Sequence, residues 1–61
     1  MRIEDQLTKY AQDTQDDMTI GDERATFADA VRAMRDEPRD VAKGLGCTVD
    51  VVIAWCKEQS K

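Results

Sequence analysis

Residues 38–58 read PRDVAKGLGCTVDVVIAWCKE and carry the clearest structural pattern in this chain of 61 residues. Pro38 suits the first position of a helix, because its ring presets a helical φ and its missing N–H group is not needed there. Gly46 stands where a tight turn would need a left-handed backbone, and Thr48 is a suitable N-cap for a following helix. The stretch therefore predicts two short helices joined by a tight turn.

The side chains within this stretch are spaced so that the two helices can cross closely. Ala42 is the small residue that permits the close approach, and a set of apolar residues would fill the angle between the helices: Val41, Leu45, Cys47, Val52 and Trp55. From Pro38 to Lys57 the pattern resembles the helix-turn-helix family of DNA-binding domains. In particular, it is similar to the small regulators and excision or transposition proteins whose second helix ends in a tryptophan.

The resemblance implies which residues would meet DNA, since the second helix of the family lies in the major groove. Carried over to this chain, the positions that face the groove are Thr48, Val49, Asp50, Ile53 and Ala54, and the phosphate contacts are Lys57, Arg39 and Lys43. None of the groove-facing residues is Arg, Lys, Asn or Gln, the side chains that make bidentate contacts with guanine or adenine. The architecture therefore resembles a DNA-binding unit, whereas its outward residues favour contacts with protein.

The charge distribution gives a second reason to expect a protein partner. Nine basic residues stand against thirteen acidic ones, for a net charge of −4. Up to Val31 the chain carries three basic and eight acidic residues, and beyond it six basic and five acidic. Binding to nucleic acid draws much of its affinity from neutralised phosphates, so only the second part could approach DNA without repulsion. An acidic patch is predicted in the first part, at Asp13, Asp16, Asp17, Asp22 and Glu23.

The remainder of the chain completes a small all-α domain. Apolar residues at helical spacing follow Ile3 and Phe27 and predict two amphipathic helices separated by a polar, turn-forming stretch. The start of the second of these helices is left open, because Asp22 is a suitable N-cap and Thr26 with Asp29 resembles a capping box. The predicted bounds are about 2–12, 22–36, 38–45 and 48–59 for four helices, with an acidic loop over 13–21.

Catalytic and metal-binding motifs are not found in the sequence. The chain has no His, and its two cysteines, Cys47 and Cys56, are nine residues apart, which fits no zinc site or disulfide framework. A calcium loop counted from Asp13 would place Met18 and Arg24 where glycine and glutamate are required. We therefore expect a protein without enzymatic activity, metal or cofactor. Two thiols are the favoured state of the cysteines, and a single disulfide between them is the alternative.

The amino-terminal residues are acidic rather than apolar, and the longest apolar run, Val51 to Cys56, is too short for a membrane helix. We expect a cytoplasmic protein with no membrane partner. The favoured function is a protein-interaction module, an adaptor or inhibitor that engages a basic or nucleic-acid-binding surface of a partner, and in size and composition the chain resembles many phage-encoded inhibitors and regulators. The alternative is a dimeric DNA-binding regulator, and the first helix is a candidate for forming a homodimer.

Overall fold

The computed structural model describes residues 2–60, in which four α-helices surround one hydrophobic core. The helices are α1 (Ile3–Asp17), α2 (Phe27–Asp36), α3 (Pro38–Leu45) and α4 (Val49–Gln59). A short antiparallel hairpin of β1 (Thr19–Ile20) and β2 (Glu23–Arg24) connects α1 to α2. The prediction of a small all-α domain with four helices is confirmed, and the hairpin is an addition to it.

Every helix contributes buried side chains to the core. Trp55 of α4 packs edge to face on Phe27 of α2, with ring centroids 6.3 Å apart and an interplanar angle of 76°. Leu7 and Val52 are fully buried and anchor α1 and α4 to the core. The buried core consists of Leu7, Ala11, Ala30, Val31, Met34, Val41, Ala42, Val52, Trp55 and Cys56.

Helix α1 is longer than the sequence predicts. It continues to Asp17 instead of ending near residue 12, so the predicted acidic loop over 13–21 is wrong for its first five residues. Asp and Thr are weak helix formers, which is why the composition of this stretch indicated a loop. In the structure, Thr14 and Gln15 are half-buried and continue the inward face of Leu7 and Ala11, so tertiary packing overrides the local preference.

The hairpin over 19–24 replaces the end of the predicted loop and the first residues of the predicted second helix. Ile20 lies opposite Glu23, and the two residues between them form the turn. Gly21 has φ 63 at the first central position, where a type II′ turn favours glycine. The N–H group of Ala25 donates to the carbonyl of Met18 at 3.4 Å and extends the pairing by one step. Asp22 is therefore a turn residue and does not cap the second helix.

Helix α2 begins at Phe27, five residues later than the predicted start at 22. Its N-cap is Thr26, the second of the two candidates. The N–H group of Asp29 donates to Thr26 Oγ1 at 3.2 Å, and the N–H group of Thr26 donates to Asp29 Oδ2 at 2.9 Å. This reciprocal pair is a capping box, and the hydrogen bonds from Thr26 hold the pKa of the Asp29 carboxyl below its usual value.

Candidate interaction surfaces

The turn between α3 and α4 has the geometry that its residues predict. Gly46 adopts a left-handed conformation, with φ 70 and ψ 29, at the end of α3. The N–H group of Cys47 donates to the carbonyl of Ala42 at 3.0 Å, which closes the helix end as in a Schellman motif. Thr48 Oγ1 accepts from the N–H group of Val51 at 3.3 Å and caps α4. The predicted roles of Gly46 and Thr48 are confirmed, whereas DNA binding by this unit stays a prediction.

The structure places the predicted groove-facing residues in different environments. Val49 is half-buried and packs against the core, and Ile53 is half-buried too. The hydroxyl of Thr48 is engaged as the N-cap. Asp50 and Ala54 are exposed, and together they offer a carboxylate and a methyl group to any ligand. This face of α4 therefore carries no side chain that donates two hydrogen bonds to a base edge.

The three predicted phosphate contacts are exposed but lie on two helices. Arg39 and Lys43 are four residues apart and share one face of α3. Lys57 lies eight residues after Val49, which is about 12 Å along the axis from the end of α4 that would enter a DNA groove. The basic side chains are therefore spread along the α3–α4 unit.

The predicted acidic residues are all exposed at one end of the molecule, which we call the acidic end. Asp13, Asp16 and Asp17 are spaced i, i+3 and i+4, so they share the outward face of α1, and Asp22 and Glu23 follow in the hairpin. Their side chains form no hydrogen bond or ion pair with another residue between 2 and 60. The last turn of α1 contains no basic residue, although a helix carboxyl end favours positive charge.

A groove between α1 and α4 was not predicted from the sequence. It has a volume of about 390 Å³ and is lined by Ile3, Glu4, Leu7, Val51, Ala54, Trp55 and Glu58. Val51 remains 36% exposed there, although its neighbour Val52 is fully buried. The signal for this α1–α4 groove is the pair of stripes that face each other, i and i+4 on α1 and i, i+3, i+4 and i+7 on α4.

The two cysteines are free thiols in the structure, and neither forms a disulfide. Cys56 is fully buried, and its Sγ lies 3.7 Å from the carbonyl oxygen of Val31, to which it donates. Burial raises the pKa of the Cys56 thiol, so the thiolate is disfavoured. Cys47 is half-buried and packs against the core. Cys56 therefore joins α4 to α2, and Cys47 joins the turn between α3 and α4 to the core.

Between residues 2 and 60 no group of three or more Cys, Asp or Glu side chains is arranged to hold a metal ion. Within the same part of the chain, no helix is both long and apolar enough to cross a membrane. Comparison of the chain with models of known protein families, with curated proteins and with solved structures gives no match. The described chain therefore offers three candidate interaction surfaces: the acidic end, the α1–α4 groove and the α3–α4 unit.

Proposed function

We propose that the protein is a small non-enzymatic interaction module, an adaptor or inhibitor that binds a basic surface of a partner protein. The observation that supports this proposal is the acidic end, where five exposed carboxylates have no partner in the described chain. A surface rich in Lys and Arg complements it, and surfaces that bind nucleic acid have that composition.

The position of these carboxylates strengthens the argument. Asp16 and Asp17 lie in the last turn of α1, where the helix dipole opposes negative charge, and both are repelled by Asp13, which lies three and four residues before them. A cationic ligand would relieve both effects. Each exposed ion pair contributes only about 0.2–1 kcal/mol, so the acidic end would supply association rate and specificity more than affinity. Binding should therefore weaken with salt and should need apolar contacts elsewhere.

The alternative function is a dimeric DNA-binding regulator. Its support is the geometry of the α3–α4 unit, with Gly46 in a left-handed conformation and Thr48 as the cap of α4. In a two-fold dimer, both protomers would add Arg39, Lys43 and Lys57 to the phosphate contacts. The face of α4 that would enter the major groove of DNA weighs against this alternative, because it presents Asp50 and Ala54 and no side chain that could donate two hydrogen bonds to a base.

Fluorescence anisotropy with two labelled probes separates these functions: an oligolysine peptide and a DNA duplex of mixed sequence, each over a salt series. We expect the peptide to bind at low salt and the duplex to remain unbound. Reversal of three carboxylates, by Asp13→Lys, Asp16→Lys and Asp17→Lys, should abolish binding of the peptide. A control variant with the same net charge reverses exposed carboxylates elsewhere: Asp5→Lys, Asp36→Lys and Asp40→Lys.

The control variant should retain most of the binding to oligolysine, because its acidic end is intact. Equal loss of binding in both variants would show that net charge, and not the acidic end, attracts the peptide. Tight and sequence-dependent binding of the duplex, with a steep dependence on salt, would overturn the proposal in favour of the DNA-binding regulator.

A further inference from the structure

The α1–α4 groove has an apolar floor and acidic margins. Leu7 and Trp55 are held in place by the core, so the floor is fixed before any ligand arrives. Val51 and Ala54 line the α4 side and are exposed to solvent. Of the seven lining residues two are acidic, Glu4 and Glu58, and none is basic. The groove therefore combines apolar contact with negative charge.

We propose that this groove binds a basic amphipathic helix of the partner protein, an inference that rests on the proposed function and names the surface that supplies its affinity. Val51 and Glu58 are seven residues apart, which is about 10 Å along α4, or two turns of a docked helix. A helix of that length presents apolar side chains at i and i+3 or i+4. These anchors would rest on the floor, with Lys or Arg beside Glu4.

Charge complementarity selects this occupant over a second copy of the chain. In a two-fold contact the same patch meets itself, so Glu4 of each copy would approach a groove that carries the same negative charge. The net charge of −4 adds to the repulsion between copies. A helix with Lys or Arg on the flank beside α1 meets the opposite charge of Glu4.

Trp55 provides a direct readout, because it lines the groove and is the only tryptophan in the chain. The probe is a synthetic helical peptide with Leu at i and i+4 and Lys at the flanking positions. A scrambled peptide of the same composition is its control. We expect a saturable change in the emission of Trp55 with the amphipathic peptide and binding that is weaker by roughly tenfold or more with the scrambled one.

Val51→Glu places a charge on the floor and should weaken binding of the amphipathic peptide by roughly tenfold or more. Its matched control is Ile20→Glu, which puts the same charge on the other large exposed apolar side chain of the described residues, 53% exposed in β1. Glu4→Lys should weaken binding severalfold at low salt. Its matched control, Glu37→Lys, makes the same charge change at an exposed residue between α2 and α3, outside the groove and the acidic end, and should leave the change in Trp55 emission intact.

If the peptide binds but Val51→Glu and Glu4→Lys leave its affinity and the Trp55 signal unchanged, the groove is not the site and the inference fails. If reversal of Asp13, Asp16 and Asp17 then abolishes binding of the peptide, the peptide binds the acidic end, and the proposed function stands although the inference about the groove fails. A protein that binds neither oligolysine nor the peptide would overturn both. A dimer in sedimentation that Val51→Glu converts to a monomer, with no peptide bound, would assign the groove to a second copy.

Discussion

In the α3–α4 unit each local signal has a structural counterpart, whereas in the segment from residue 13 to residue 24 the exposed side chains are mostly without partners. Pro38 starts α3, Gly46 supplies the left-handed turn, and Thr48 caps α4. The acidic segment continues α1 to Asp17, although its Asp and Thr residues are weak helix formers, and the chain then turns at Gly21. The first region stabilises the fold, and the second leaves its charges available for binding.

This difference bears on function, because a binding surface needs side chains that the fold does not use. On α4 the residues that a DNA-binding helix would direct at bases are partly used by the fold: Val49 in packing and Thr48 in capping. At the acidic end, Asp13, Asp16 and Asp17 contribute nothing to the core. The acidic end therefore offers a ligand side chains that the fold does not use, whereas the residues predicted to face DNA offer few of them.

The largest expected effect belongs to the scaffold. Trp55→Ala removes the ring that packs on Phe27 and should cost about 3–5 kcal/mol. A core of this size rarely supplies more than about 3–5 kcal/mol, so the variant should be largely unfolded. Far-ultraviolet circular dichroism and a thermal melt measure the outcome. A variant with native helicity and a cooperative melt would show that the packing of Trp55 on α2 is not the principal source of stability.

The turn glycines should respond differently in the two regions. A Cβ at position 46 would meet no atom within 4 Å, so Gly46→Ala costs only the strain of φ 70, about 1–2 kcal/mol. Gly21 has a similar φ of 63 and is equally open, but it lies in a hairpin outside the main core. Gly21→Ala should therefore lower the denaturation midpoint less than Gly46→Ala.

Denaturant unfolding of both glycine variants, fitted with a common slope, tests this ranking. Gly44→Ala is the control, since residue 44 lies within α3 and its Cβ would make an ordinary contact at 3.9 Å with Tyr10. It should be stabilising by about 0.5–1 kcal/mol. A larger loss from Gly21→Ala than from Gly46→Ala would mean that the hairpin stabilises the fold more than the α3–α4 turn.

The smallest effect concerns pH. The hydrogen bonds from Thr26 lower the pKa of Asp29 from its usual value of 3.8, so the folded state favours the ionised carboxylate of Asp29. The stability that Asp29 contributes is present above that value and is lost as the pH falls through the lowered pKa. Native protein and Asp29→Asn should therefore differ most in melting temperature near neutral pH and converge in strong acid. A gap that persists unchanged into acid would show that the capping box does not depend on ionisation.

The parts of the fold that depend on adjacent residues were predictable from the sequence. Pro38 and Gly46 mark both ends of α3 by their own backbone constraints, and Thr48 marks the start of α4. The end of α1 was not predictable in this way, because it depends on the partial burial of Thr14 and Gln15 by residues distant in the chain. The hairpin was missed because two-residue strands carry almost no periodicity.

The candidate surfaces show the same division. The acidic residues could be named from the sequence because exposed carboxylates need no tertiary information. Their common outward face could not, since it requires α1 to continue through Asp17. The α1–α4 groove depends on how two helices distant in the chain are placed, and this placement leaves Val51 exposed beside a buried Val52.

The central claim is that the acidic end meets a basic surface of the partner, and that the α3–α4 unit does not read DNA. The most direct test follows the backbone amide shifts of isotope-labelled protein by nuclear magnetic resonance during titration with oligolysine and, separately, with a DNA duplex. We expect oligolysine to shift the amides of Asp13, Asp16 and Asp17 and the duplex to leave Thr48, Asp50 and Ala54 unmoved at low salt. Saturable shifts at Thr48, Asp50 and Ala54 with the duplex, and none at the acidic end with oligolysine, would contradict the claim.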